Sequence, residues 1–401
     1  MPKFCQDCGP LPVNHVHNWL ADFSHFLLEE SVGKLVPQKL FFRLDQLLYR
    51  IFIGLNFFRR IKEINRSIVS LRTAVFLDEV LKRGIDFNCL ESKFGPTNHF
   101  EIRCINQSYF FEGLPRGEQS ETRISRIIDD KAKTKKVLQA AGLPAPKGKS
   151  FFWFQENSAR NWARKNLRFP LVVKPRFGSM CQHVTTDIKT IDQLTDAIRK
   201  AVVYSPAFII EEFFGNAAAY RITAVNFNQM ACVRRVPAHI IGNGKNTIQE
   251  LIDLKNQDPR RGNPKAKDFT LFKLVVDETS QKLLKQQGYS LNSVPPKSEM
   301  VYLQEKVILD LGGDLWEETP KIHPDNRALF QKTAELFNAR LVGIDFLISD
   351  ISLSWKENLC AIIELNSLPY IDMHHFPTQG QPQNIAKAVC QLVEVTRHRK
   401  I

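Results

Sequence analysis

Two hydrophobic rhythms run along the chain. In "TIDQLTDAIRKAVVY" the apolar residues Ile191, Leu194, Ile198, Ala201 and Val202 recur every three or four positions, which predicts an amphipathic helix. Short apolar runs bounded by turn residues predict strands at 171–173, "AFIIEEFF" (207–214), "LVGIDFLIS" (341–349) and "LCAIIELN" (359–366). "YRITAVNF" and "ACVRRVPA" flank Asn228 and Gln229 and read as a hairpin. Helices are expected over 123–142, closed by Gly142, over 246–257, with Asn246 or Thr247 as N-cap, and over 323–339, with Pro324 near the start. Strands alternating with helices and hairpins indicate a mixed α/β architecture. The first 110 residues read as mostly helical. Their longest apolar stretch, 39–62, is broken by Arg43, Asp45, Gln46, Arg50 and Asn56, which predicts one or two amphipathic helices and no membrane span.

At 401 residues and 43% hydrophobic content, the chain is long enough for two or three packed units. Net charge is +13, but residues 1–120 hold 15 Lys and Arg against 13 acids, and the other 281 hold 40 against 29. The excess is spread through the later part, which favours an anionic ligand in a cleft over a nucleic-acid-binding arm. Eight scattered cysteines make no disulfide framework and the N-terminus lacks a signal-peptide pattern, so a cytoplasmic protein is expected. Cys5, Cys8, His15 and His17 cluster near the N-terminus, but their spacing fits no zinc finger and zinc is not expected there.

Chemistry concentrates elsewhere. "LVVKPRFGSMCQHV" delivers Lys174 from a strand into a turn opened by Gly178 and Ser179, as a phosphate-binding loop does, yet Cys181 and His183 stand where more glycine would be expected. Asp345 interrupts one apolar strand; Glu364 ends another, with Asn366 two residues on and on the same face. Two carboxylates and an amide oxygen suit Mg2+ shared with phosphate oxygens, although each acid could equally pair with Arg or Lys.

Lysine strand, turn, acidic strand, hairpin arginines and carboxylate–amide site together resemble the ATP-grasp superfamily. The segments "RRVPAHIIGNGKNTIQELIDLKNQDPRRG", "QGYSLNSVPP", "IHPDN", "GIDFL", "IIELN" and "MHHFPTQGQPQN" narrow the resemblance. They look like the ATP-grasp segment of cyanophycin synthetase and the glutathione-synthetase half of bifunctional glutathione enzymes. The match runs over roughly 120–397; the Mur-ligase-like domain of cyanophycin synthetase is not expected in these residues. The resemblance implies α+β lobes with ATP between two of them, residues 1–115 being a mostly helical N-terminal region of no assigned role. Residues 116–401 would form the ATP-grasp domain, with a central ATP-binding lobe over about 125–215 and a C-terminal lobe over about 216–397. Lys131 and Lys174 would contact ATP phosphates, as would the Gly178–Ser179 turn, and Glu211, Glu212 and Phe213 would read adenine. Arg221 and Arg235 would approach phosphate or substrate, Asp345, Glu364 and Asn366 would hold one or two Mg2+ ions, and His374 would lie near the acceptor. The implied reaction joins the carboxylate of an amino acid or short peptide to an amine through an acylphosphate, with release of ADP. Related enzymes often assemble, so a homo-oligomer is compatible with the resemblance.

The chain also departs from the pattern. Cys181 and His183 replace loop glycines, Ala219 replaces a ribose-binding acid, and Gln304, Ile308, Asp310 and Leu311 fill positions expected to be more polar. "EETP" (317–320) stands where an acid near "DVTD" is expected. These changes keep a second reading open, in which a catalytically silent ATP-grasp protein senses nucleotide or binds a partner.

Overall fold

The computed structural model describes residues 5, 14–32, 38–66, 69–104, 107–116, 127–178, 181–215, 217–263, 266 and 268–398. They divide into two compact, discontinuous units: one built from 1–45, 116–217 and 322–367, the other from 46–115, 218–321 and 368–401.

The first unit centres on a four-stranded antiparallel sheet in the order Gly148–Phe152, Ala207–Glu212, Leu171–Pro175, Thr185–Ile188. Pairing sets Val173 opposite Ile210 and Val172 opposite Glu211, so the pleat sorts side chains onto two faces. Leu171, Val173, Phe208 and Ile210 join a core with Ala159 and Ala163 of the Glu156–Asn166 helix and Leu194, Ala197, Ile198 and Ala201 of the Ile191–Tyr204 helix. The other face carries Lys174 and Glu211. One strand therefore packs a core with half its residues and builds a site with the rest. The unit also contains the Pro324–Leu336 helix and the antiparallel pair Leu341–Ile348 and Cys360–Asn366. The expected helix over 123–142 is regular from Lys131 to Ala140, because the buried Asp130 caps it by accepting from the Ala132 and Lys133 N–H groups. Residues 123–126 lie outside the described residues.

In the second unit, Ala218–Val225 and Gln229–Val236 form the expected hairpin, its turn made by Asn226 and Phe227 with positive φ, and Asp314–Glu317 pairs on its far side. Thr247 and Glu250 form a capping box on the Ile248–Asn256 helix, whose Ile248 and Ile252 pack with Ala238, Ile240, Leu284 and Val301. The N-terminal region expected to be mostly helical contains the helices His15–Val32, which lies in the first unit, Gln38–Gly54 and Leu71–Lys82. Residues 58–112, however, contain a four-stranded antiparallel sheet. Its core of Phe58, Leu90 and Phe110, with Tyr49 stacked on Phe110, is aromatic-rich, and a register shift between Leu90 and Glu91 interrupts its pairing. Among the described residues no helix is long and apolar enough to cross a membrane.

Burial along the Ile191–Tyr204 helix fixes its inward face: Ile198 is 1% exposed and Val203 is 53% exposed. Ile198→Ala is expected to cost about 2–5 kcal/mol and Val203→Ala no more than about 0.5, read by thermal or denaturant unfolding. A reversal of that order would put the wrong face against the sheet.

Candidate active site

In the first unit the strand Ala207–Glu212 presents Glu211 to two lysines. Its Oε1 lies 2.5 Å from Lys174 Nζ, and its Oε2 pairs with Lys135 on the Lys131–Ala140 helix. All three are buried. Burial works against the Glu211 carboxylate, but the charges and hydrogen bonds of Lys135 and Lys174 outweigh it and hold the group below its ordinary pKa. Gly148, on the neighbouring strand, makes room for this triad: a Cβ there would stand 2.5 Å from Ile210 O and 2.8 Å from Lys135 Nζ.

The lysines lead to the carboxylate strands. Lys174 Nζ donates to Ile363 O at 3.3 Å, and Lys131 Nζ lies 3.4 Å from Glu364 Oε1 and donates to Gly178 O. Asp345 and Glu364 are direct cross-strand partners, and Asn366 pairs with Gly343 two positions along, so all three side chains share a face. A register shift between Asp345 and Phe346 places a bulge beside them. Asp345 is buried, and the buried Asn366 Nδ2 has no hydrogen-bond partner among the described residues. Two carboxylates and an amide form the hard-oxygen donor set that Mg2+ takes, so the residues present fit that ion.

The loop after Lys174 starts from a second ion pair. Arg176 donates to both oxygens of Asp130, at 2.9 and 2.6 Å, so the residue that caps the Lys131 helix also anchors the loop. Gly178 has φ +103, and a Cβ there would meet the Tyr204 ring at 2.6 Å. Ser179 lies outside the described residues. Cys181 and His183 hold φ of +57 and +52, left-handed backbone that glycine would adopt without cost. His183 is buried, its Nδ1–H donating to Lys200 O at 2.7 Å, and Cys5 Sγ lies 3.4 Å from its Nε2. Cys5 and His15 thus meet a third donor from far along the chain. Cys8 lies outside the described residues, and His17 is exposed.

Glu212 and Phe213 follow Glu211 as expected, with Glu212 N donating to Lys147 O and Phe213 N to Pro170 O. The Glu211 carboxylate pairs with both lysines and so helps to position Lys135 and Lys174.

Arg221, Arg235 and His374 belong to the second unit and form a cluster of their own. Register puts Arg235 opposite Ala219, and Glu317 opposite Val233, which is itself opposite Arg221. Ala219, Arg221 and Thr223 alternate onto the same face. His374 is fully buried, shares a 2.8 Å hydrogen bond with Thr223 Oγ1, and has Nδ1 3.8 Å from Glu317 Oε2. Burial lowers its pKa more than Glu317 raises it, so the ring is held neutral. His374 has no exposed surface and lies in the core beside Thr223 and Glu317. Gln304, one of the departures, is also accounted for: its buried amide donates to Asp277 Oδ1 and Ser280 Oγ and so braces the cap of the Glu278–Gln286 helix.

Sequence reasoning missed Lys135, Asp130, Arg176 and Glu317. Lys135 and Asp130 sit in "DDKAKTK", where several charges compete for one role. Glu317 was read as part of a departure, although it supplies a buried acid on the arginine face.

Over 265 residues, 66% of the chain, it is 36% identical to cyanophycin synthetase of Trichormus variabilis. Over 332 residues, 81% of the chain, it is 29% identical to the glutathione biosynthesis bifunctional protein of Clostridium perfringens. It spans 29% and 41% of those relatives' own lengths. The crystal structure of a bifunctional glutathione synthetase from Pasteurella multocida superposes on 82% of the chain and 44% of its own, with a TM-score of 0.63 and 23% identity. The chain is an ATP-grasp homologue of these synthetases. No family model matches it.

The Asp130–Arg176 pair gives this ATP-grasp chain a defined acid sensitivity. Burial raises the Asp130 pKa, but the Arg176 hydrogen bonds and charge outweigh it and leave the group below its ordinary value. Its stabilisation is therefore present above the unfolded carboxyl pKa of about 4 and is lost as pH falls through the depressed folded value. Asp130→Asn should destabilise the protein by about 3 kcal/mol at neutral pH, with the gap to wild type closing towards acid. Unfolding midpoints measured across pH check this; a gap that is constant with pH would count against it.

Proposed function

We propose that the chain is an ATP- and Mg2+-dependent ligase that joins a carboxylate of an amino acid or short peptide to an amine. The observation that carries this reading is the reach of Lys131 and Lys174 to one strand: their ammonium groups lie 3.4 Å from the Glu364 carboxylate and 3.3 Å from Ile363 O, beside the Asp345–Glu364–Asn366 face. Cations and hard-oxygen ligands side by side suit a polyphosphate bound with its metal. Homology to two amide-forming synthetases supports the same reading.

In this mechanism Asp345, Glu364 and Asn366 hold Mg2+, which when bound neutralises phosphate charge. Lys174, kept in place by Glu211, and Lys131, kept near Gly178 by its hydrogen bond to that carbonyl, absorb charge on the transferred phosphoryl group. A substrate carboxylate oxygen attacks the γ-phosphorus, the bond to the β,γ-bridging oxygen breaks, and ADP leaves. An amine then attacks the acyl carbon, phosphate leaves with the electron pair of the broken C–O bond, and the amine gives up a proton. No protein side chain acts as nucleophile.

The test is ADP release by purified protein given Mg-ATP and a panel of amino acids and dipeptides. Acceptor-dependent ADP formation is expected, falling by at least about a hundredfold in Lys174→Ala. Calorimetry with a non-hydrolysable ATP analogue should show Mg2+-dependent binding that is lost in Asp345→Asn/Glu364→Gln. Binding without turnover on any acceptor would favour the silent module instead, and absence of binding would remove both.

A further inference from the structure

Cys5, His15 and His183 place one thiol sulfur and two imidazole nitrogens within 4.8 Å of one another, and the proposed ligase chemistry gives none of the three a role. We propose that these three residues bind one Zn2+ ion, which fastens the N-terminal segment to the loop following Lys174.

The donor set is specific. One thiolate with two neutral imidazoles is a borderline-soft combination that suits Zn2+ and is poor for Mg2+ or Ca2+. In a tetrahedral zinc site, with Zn–S about 2.3 Å and Zn–N about 2.0–2.1 Å, neighbouring donors lie about 3.5 Å apart. Cys5 Sγ and His183 Nε2 are separated by 3.4 Å. The tautomer of His183 is set as a ligand requires. Lys200 O can only accept, so the proton sits on Nδ1 and a neutral ring turns the Nε2 lone pair towards Cys5. A backbone carbonyl on the far nitrogen is the usual outer partner of a metal-bound histidine. The His15 ring meets His183 edge-on, with centroids 5.0 Å apart.

The loop supplies an independent argument. His183 is 3% exposed and holds a left-handed φ of +52 in a position that glycine would occupy without cost. Strain of this kind persists where surrounding structure over-determines it, commonly at a ligand. A histidine that is costly for the backbone and aimed at a cysteine 178 positions earlier is explained by the ion it would hold. Fastened in this way, the loop is held through Cys5 and His15 at one end and through Arg176 on Asp130 at the other.

The experiment is metal analysis of the full-length, reduced protein, followed by Co2+ titration of the demetallated protein. About one zinc per chain is expected, along with a thiolate-to-cobalt charge-transfer band and the visible bands of a tetrahedral site. Cys5→Ser should abolish the charge-transfer band, and His15→Ala and His183→Ala should each weaken Co2+ binding by more than about tenfold. His183 is buried, so the test rests first on Cys5→Ser and His15→Ala, with circular dichroism confirming that the fold is kept. Failure of the wild-type protein to bind Zn2+ or Co2+ would overturn the proposal. So would a charge-transfer band that survives Cys5→Ser, or affinities unchanged in both variants. The readouts are metal content and spectra, so they remain valid whether or not the chain proves to be a ligase.

Discussion

The first unit depends on one carboxylate shared by two lysines. Glu211 is fully enclosed, and a lone carboxylate there would be prohibitive to ionise; Lys135 and Lys174 make the charge tolerable. The pairing is unequal, because two ammonium groups face one carboxylate. The triad therefore retains a positive charge, and Lys174 is the member that also reaches Ile363 O beside Glu364. An anionic ligand would complete the electrostatics that Glu211 begins. This explains why Glu211 lies in a strand that packs apolar residues on its other face: the core holds the carboxylate rigid, and the carboxylate holds the lysines.

The same economy governs Asp130. One side chain accepts from the first turn of the Lys131–Ala140 helix and pairs bidentately with Arg176. Helix start and loop start are thus fixed by a single group, and Lys131, the first residue of that helix, is delivered towards Gly178 and Glu364. Losing the cap would disturb Lys131, Lys135 and the loop together. For that reason these residues are best understood as one coupled set, whose mutational effects will not add.

Much of this was legible in the sequence. The helix 191–204, the hairpin around Asn228, an N-cap at Asn246 or Thr247 and the shared face of Glu364 and Asn366 follow from local signals, whereas Asp345 joins that face through its cross-strand pairing with Glu364. Lys135 and Arg176 escaped because their meaning is a partner: among the many lysines and arginines, nothing local distinguishes those that meet Glu211 and Asp130. The sheet over 58–112 escaped for a different reason. Its strands carry aromatic and charged residues together, Glu101 among them, buried, ion-paired with Arg60 and accepting a hydrogen bond from Asn88, so the polar pattern masks a buried strand.

The substituted loop shows how side-chain identity and backbone shape can part company. Glycine is expected at 181 and 183, yet Cys181 and His183 both hold positive φ. A residue with a Cβ in that region is strained by roughly 1–3 kcal/mol, so the course of the loop must be imposed from outside it. Arg176 on Asp130 imposes one end, and Gly178 lies so close to Tyr204 that a Cβ would stand 2.6 Å from the ring. At the other end His183 is fixed by Lys200 O and faces Cys5. The loop has therefore exchanged the freedom of glycine for anchors. At that end Cys5 and His15, remote in sequence from the loop, lie beside His183 where the chain returns to the sheet.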